Sequence, residues 1–261
     1  MTGLPPGVTE EQLRRELVAT ANALHARGWV SNHDGNASCR LGAGRLLCTP
    51  TAVSKADVTP ESLIVVGEDG EVLQGTRRSF SELQLHRAAY TARPDIGVVL
   101  HAHPPSATAF AVSGRELGHP FMAEPVVTLG PQIPVVPYHR PKDRALDAAI
   151  GRALGGADVA ILDRHGVIAV GGSFEQAFLR LELVEHLARI AEAAAALGGV
   201  RPLPADEVAA LAAKGRPPSS PSWGALAARP VSDGSSSRRT SAGDPRPDVA
   251  GLVDATLRRF Q

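Results

Sequence analysis

At 261 residues the chain is long enough for one large domain or two small ones, and a hydrophobic content of 43% supplies a sizeable core. Lys plus Arg and Asp plus Glu each total 27, for a formal net charge of zero, which argues against nucleic acid or an anionic membrane as a global partner. No apolar run approaches the length of a membrane span and the N-terminus lacks an apolar signal core, so a cytoplasmic protein with no membrane partner is expected.

Thr9-Glu10-Glu11-Gln12 reads as a capping box. Leu13, Leu17, Ala21 and Leu24 then share one helical face, and Gly28 closes the helix. Residues 37–49 read as a hairpin around Gly42-Ala43-Gly44, which lets Cys39 and Cys48 face each other across two strands as reduced thiols. A second strand pair is expected within 62–75 around Asp69-Gly70, then a helix over 81–92 and a buried strand over 96–103. A helix from Pro104 to Ser113 follows, with short strands near 125–129 and 133–137 and a helix from Pro141 to Leu154. Strands at 158–163 and 166–172, a long helix from Ser173 to about Leu197 and a shorter one from Pro204 to Ala213 complete the pattern. Strands, helices and interspersed hairpins in this order predict an α/β sandwich with a mixed sheet.

Composition changes after Lys214. Residues 215–261 hold six prolines, eight serines and five glycines, too little apolar material to fold alone, although 249–260 has the pattern of a short docking helix. One ordered domain over 1–214 and a disordered tail are therefore expected.

The chemistry gathers around "IGVVLHAHPPSATAF", residues 96–110. Side chains alternate along a strand, so His101 and His103 point the same way at its carboxyl end, where open α/β sheets bind ligands. Imidazole is the commonest neutral metal ligand, and two on one face make half a tetrahedral site; solvated histidines at an exposed strand end are the plainer reading. Further donors are available in "RRSFSELQLHRAAY", with Glu82 and His86, and in "AILDRHGVIAV", where a tight turn before Gly166 can project His165 into a cleft. Taken singly, Glu82 reads equally as a helix-start carboxylate, His165 as a turn residue, and His86 as structural support.

Taken together, "SELQLH", "HAHPP" and "DRHG" resemble the class II aldolase/adducin family, in order and spacing, with Glu82 preceding His101 by 19 residues as in L-fuculose-phosphate aldolase-like members. "SNHDGNASCR" resembles its Gly-Asn-x-Ser segment, and "CTPTAVSKADVTPESL" its Thr-Pro-Thr-Gly segment. The resemblance spans roughly residues 9–213. It implies a three-layer αβα fold and a homotetramer with interfacial active sites. It places metal ligands at His101, His103 and His165, and a catalytic acid/base at Glu82 that also ligates the metal when substrate is absent. A substrate phosphate cradle maps to Gly35, Asn36, Thr51, Ala52, Phe80 and Ser81.

Three imidazoles leave Zn²⁺ with an open position, and Mn²⁺, Fe²⁺ or Co²⁺ accept the same set. A carbonyl and adjacent hydroxyl chelated there allow a stabilised enediolate, with Glu82 moving the proton. The expected function is a metal-dependent aldolase acting on a small sugar phosphate or related hydroxy-carbonyl compound. An epimerase, dehydratase or decarboxylase on the same intermediate is the alternative, and a non-catalytic adducin-like module a third. This chain departs from the aldolase pattern at Ala52, in place of Gly, and at Phe80, in place of Ser. It also lacks the family's proton-handling tyrosines: its own, Tyr90 and Tyr138, do not match those positions, which leaves His119 or Glu124 as substitutes.

Overall fold

The structure, a computed structural model, describes residues 8–117, 120–140 and 143–215. The expected tail helix at 249–260, Pro141 and His119 lie outside the described residues. Among the described residues no helix is long and apolar enough to cross a membrane.

Helix α1 (Glu10–Ala26) starts where expected, with Thr9 Oγ1 accepting the Gln12 N–H at 3.1 Å. Leu13, Leu17, Ala21 and Leu24 are fully buried along its inner stripe. The hairpin β1 (Asn36–Gly42) and β2 (Arg45–Cys48) follows, then β3 (Ile64–Val66) and β4 (Val72–Gln74). Helix α2 (Leu83–Ala92) leads into β5 (Val98–Ala102) and α3 (Pro105–Ser113). Next come α4 (Ala123–Leu129), β6 (Val135–Val136) and α5 (Arg144–Leu154), the last capped by Asp143, whose Oδ1 accepts the Ala145 N–H at 2.9 Å. The described residues close with β7 (Val159–Leu162), β8 (Gly166–Gly171), α6 (Phe174–Ala195) and α7 (Ala205–Ala212).

The eight strands among the described residues form one mixed sheet in the order β4-β3-β2-β1-β5-β8-β7-β6, antiparallel except for the β6–β7 pair. Strand residues alternate between two cores. Ala37, Cys39, Val98, Leu100 and Ala102 face α1, α3 and α6. Cys48, Ile64, Val99, Ile168 and Val170 face α2 and α5. The result is the expected three-layer αβα sandwich.

Two expectations are corrected. The segment near 125–129 is helix, not strand: Pro125, Val126 and Leu129 are its buried residues, a helical spacing, and it packs against α6 and α7. Cys39 pairs with Leu47, and Cys48 with Ser38. One residue of register puts the two thiols on opposite faces of the sheet, so they do not face each other; both are free.

Candidate metal centre

The sheet register assembles the site. Asn36 on β1 pairs with His101 on β5, and His101 pairs in turn with Ile168 on β8. His103 follows β5, where its backbone N–H donates to Trp29 O at 2.8 Å. His165 sits in the β7–β8 turn, which is tied to α3 by the Arg164 N–H donating to Ala111 O at 3.0 Å. The turn needs glycine next: a Cβ on Gly166 would lie 2.5 Å from both Ala102 O and His103 Cδ2.

His101, His103 and His165 converge, with one ligand nitrogen from each lying within 4.8 Å of the others. The Nδ1–H of His101 donates to Val167 O at 3.0 Å, and the Nδ1–H of His103 to Asp34 Oδ2 at 3.0 Å. With each ring neutral, these bonds leave a bare Nε2 turned into the site, and the two Nε2 atoms are 3.1 Å apart. Two lone pairs so close are relieved by a cation between them, so the donor set fits a divalent metal. His101 is fully buried, and burial pushes its pKa down to about 4, against the opposing pull of Glu82. A neutral imidazole is the form that binds metal.

Glu82 completes the group, with Oε1 2.7 Å from His165 Nε2 and Oε2 3.5 Å from His101 Nε2. Burial pushes its carboxyl up. The hydrogen bond with His165, the electrostatic pull of the neighbouring His101 and His165 rings, and a hydrogen bond from Asn36 outweigh it and hold the pKa well below the usual carboxylate range. Glu82 stands at the N-cap position of α2 but makes no side-chain cap bond. Its carboxylate is spent on the site instead of the helix end.

The residues expected to hold phosphate separate into groups. Gly35 has φ +66°, and a Cβ there would strike the Val30 side chain and approach His101 O at 3.2 Å, so only glycine fits beside the site. Asn36 is 3% exposed, and its Nδ2 donates to Glu82 Oε2 at 2.7 Å. The Thr51 N–H donates to Arg78 O, and Ala52, exposed, takes the left-handed φ of +57°. That conformation accounts for the glycine usual in the family pattern. Ser81 is exposed beside Glu82. Phe80 is buried in the core against the His86 ring, with centroids 4.9 Å apart, and its side chain is no part of a cradle.

Several contributors were not singled out from the sequence. Asp34 orients His103. Lys55, 2% exposed, donates from Nζ to His33 O and Val53 O at 3.2 Å each, joining the loop that carries Asp34 and Gly35 to the one that carries Ala52. Burial lowers its pKa, against the charges of Asp34 and Glu82. A cavity of about 280 Å³ opens beside Glu82 and His165, walled by Ser81, Tyr138, His139 and Arg164 among others. Tyr138 thus shares a pocket with Glu82, whereas Tyr90 is buried in the core. Glu124 lies exposed in the first turn of α4 and does not line that pocket.

A sandwich with three imidazoles and a carboxylate gathered at the end of one strand is the architecture of a metal-site enzyme superfamily. The chain belongs to the class II aldolase/adducin family: the Class II Aldolase and Adducin N-terminal domain pattern matches residues 15–191. It is 31% identical over 185 residues to 3-oxo-tetronate 4-phosphate decarboxylase of Escherichia coli, spanning 69% of this chain and 86% of that protein. It is 30% identical to 5-deoxy-D-ribulose 1-phosphate aldolase of Bacillus thuringiensis, over 77% of this chain and 94% of the relative. It is 34% identical to methylthioribulose-1-phosphate dehydratase of Acidiphilium cryptum, over 66% and 86% respectively. A solved structure of L-fuculose 1-phosphate aldolase superposes with a TM-score of 0.72 at 24% identity, covering 80% of this chain and 99% of that one, a likeness of fold. The relatives are enzymes of three reaction types on one scaffold.

Proposed function

We propose that this protein is a metal-dependent lyase that breaks or forms a carbon–carbon bond beside the carbonyl of a small phosphorylated keto sugar or keto-sugar acid. The observation that carries this reading is the seat of Glu82, hydrogen-bonded to His165 at 2.7 Å and to Asn36 at 2.7 Å beside the Nε2 atoms of His101 and His103. His101, His103 and His165 hold the metal, Zn²⁺ in the first instance. When bound, it supplies Lewis-acid stabilisation of the charge that develops on the substrate carbonyl. Glu82, anionic and within reach of the same space, takes the proton from one fragment and returns it. Gly35, Thr51, Ala52 and Ser81 receive the phosphate, and the cavity walled by Tyr138 and Arg164 receives the other end of the substrate. The decarboxylase and aldolase among the relatives each act on a phosphorylated compound of this size. Loss of water from the same intermediate is the second reading, favoured by the 34% identity to a dehydratase. The same reading places the enzyme in the cytoplasm as a homotetramer with sites at subunit interfaces, to be checked by light scattering of the full chain.

The test compares wild type and Glu82→Gln on the same preparations. The variant is expected to keep about one divalent metal per chain and to lose turnover by about 10²–10⁴-fold. Substrates are 3-oxo-tetronate 4-phosphate and 1-phosphoketoses, with released CO₂, dihydroxyacetone phosphate and dehydrated product measured separately. Failure of Zn²⁺-reconstituted wild type to retain metal, or wild-type turnover in the variant, overturns the assignment.

A further inference from the structure

We infer that His86 and Asn36 form a buried relay that aims the Glu82 carboxylate at the three imidazoles; both are positioning residues. This rests on the reading that Glu82 bears on the metal. Asn36 takes this task in place of the phosphate contact that the family resemblance implies for it.

The direction of each hydrogen bond follows from the carboxylate. Glu82 Oε2 only accepts, so the Asn36 atom 2.7 Å away is the Nδ2 donor. The amide oxygen of Asn36 then faces inward and accepts from His86 Nε2 at 2.6 Å, which fixes the His86 proton on Nε2. His86 Nδ1 is left to accept from Ser38 Oγ–H at 2.6 Å. Tyr90 Oη ends the chain, 3.0 Å from Ser38 Oγ and donating to Ser38 O at 2.9 Å. One tautomer and one amide orientation satisfy the bonds from Glu82 through Asn36 and His86 to Ser38. His86 is 0% exposed, and Phe80 packs on its ring. The phenylalanine that departs from the family pattern thus keeps water off the relay.

The relay is also placed to act at a distance. Asn36 is register-paired with His101 across β1 and β5, so the side chain that grips Glu82 is set by the strand that carries a metal ligand. His86 lies one helical turn after Glu82 on α2 and fixes the helix against β1 through Asn36 and Ser38. Without the relay, Glu82 keeps its contacts with His165, whose side chain is 36% exposed, and with His101 at 3.5 Å, but loses the buried amide that holds its Oε2 at 2.7 Å. A polar core cluster with no other task would alter stability when disrupted. A positioning relay alters the metal site, and does so only through Glu82.

Cobalt separates these outcomes, because its visible absorption bands report ligand number and geometry. The full-length protein is reconstituted with Co²⁺, and the spectrum and Co²⁺ dissociation constant are measured with a thermal melt for each variant. Glu82→Ala must first shift the bands; an unchanged spectrum defeats the reading of Glu82 at the metal, and the inference with it. His86→Leu and Asn36→Ala are then expected to shift the bands toward those of Glu82→Ala and to weaken Co²⁺ binding about 10- to 100-fold. His86→Gln, whose amide N–H reaches the place of Nε2, is expected to restore the wild-type spectrum. In the Glu82→Ala background, adding His86→Leu should change neither spectrum nor affinity. Wild-type spectrum and affinity in folded His86→Leu and Asn36→Ala, or an undiminished His86→Leu effect without Glu82, overturn the inference. If His86→Leu does not fold, Asn36→Ala decides, since it deletes the bond to the carboxylate directly.

Discussion

Asp34 Oδ2 accepts the Nδ1–H of His103 at 3.0 Å, and this contact decides which nitrogen of His103 faces the imidazole cluster. A carboxylate behind a ligating imidazole raises its basicity and fixes its ring, and losing such a partner typically costs about 10- to 100-fold in metal affinity. Asp34→Ala is expected to weaken Zn²⁺ binding by that factor in a chelator competition. His103→Ala should abolish binding, and His25→Ala, on the exposed side of α1, should leave it unchanged. Equal affinity in Asp34→Ala and wild type would mean that the ring is held by packing alone.

The meeting of Glu82, His101, His103 and His165 was legible because their motifs are local. "SELQLH", "HAHPP" and "DRHG" each lie within a single strand end, helix start or turn, and their order in the chain carries the family pattern. The contacts that Asn36 and Asp34 make at the site were not legible, for a physical reason. Asn36 meets His101 through a pairing between strands more than sixty residues apart in sequence, and no local signal sets that register. The same limit misplaced the thiols: Cys39 and Cys48 flank a correctly read hairpin, but one residue of register sends them to opposite faces. At 125–129 the apolar run suits a strand or a buried helix equally, and packing on α6 and α7 decides for helix.

Acid should destabilise the metal-free protein through two buried imidazoles. Burial pushes His86 down to about 3 and His101 to about 4, from 6.5 for each in the unfolded chain. Between these values the unfolded chain binds more protons than the folded one, so stability rises with pH. Their contribution is fully present above about pH 6.5 and is lost as pH falls toward 3 to 4. Near pH 5.5 the pair should supply a slope of about 2 kcal/mol per pH unit. Urea unfolding in chelator from pH 5 to 7.5 measures it, and His86→Gln should remove about half. A flat profile would show that these imidazoles are not held neutral by the fold.

Ala52 holds a left-handed φ of +57° on an exposed turn. That conformation costs a residue with a Cβ about 1–2 kcal/mol, and glycine escapes it at some expense in unfolded-chain entropy. Ala52→Gly is expected to stabilise the domain by about 0.5–1 kcal/mol, a rise of about 1–3 °C in Tm. A lower Tm would mean that the turn is set by its neighbours rather than strained at this residue.

Two glycines at opposite ends of β8 separate damage to the site from damage to the fold. A Cβ on Gly166 would meet Ala102 O and His103 Cδ2 at 2.5 Å, and one on Gly171 would meet Ala177 N at 2.7 Å. Both positions face backbone that cannot rotate away, so each alanine forces a shift costing about 1–3 kcal/mol. The consequences diverge. Relief at Gly166 has to move the end of β5 and the His103 ring, and with them the spacing of the imidazoles. Relief at Gly171 moves the first turn of α6, at the end of the strand that pairs with Val98. Gly166→Ala is therefore expected to lower Tm and also weaken Zn²⁺ binding per folded molecule by at least tenfold. Gly171→Ala is expected to lower Tm comparably with Zn²⁺ affinity intact. Calorimetry of the metal-free proteins and Zn²⁺ titration at a temperature where both are folded give the comparison. Equal losses of affinity in the two variants would show that metal binding follows the stability of the whole sheet, and that the contact between Gly166 and His103 has no separate part in holding the site.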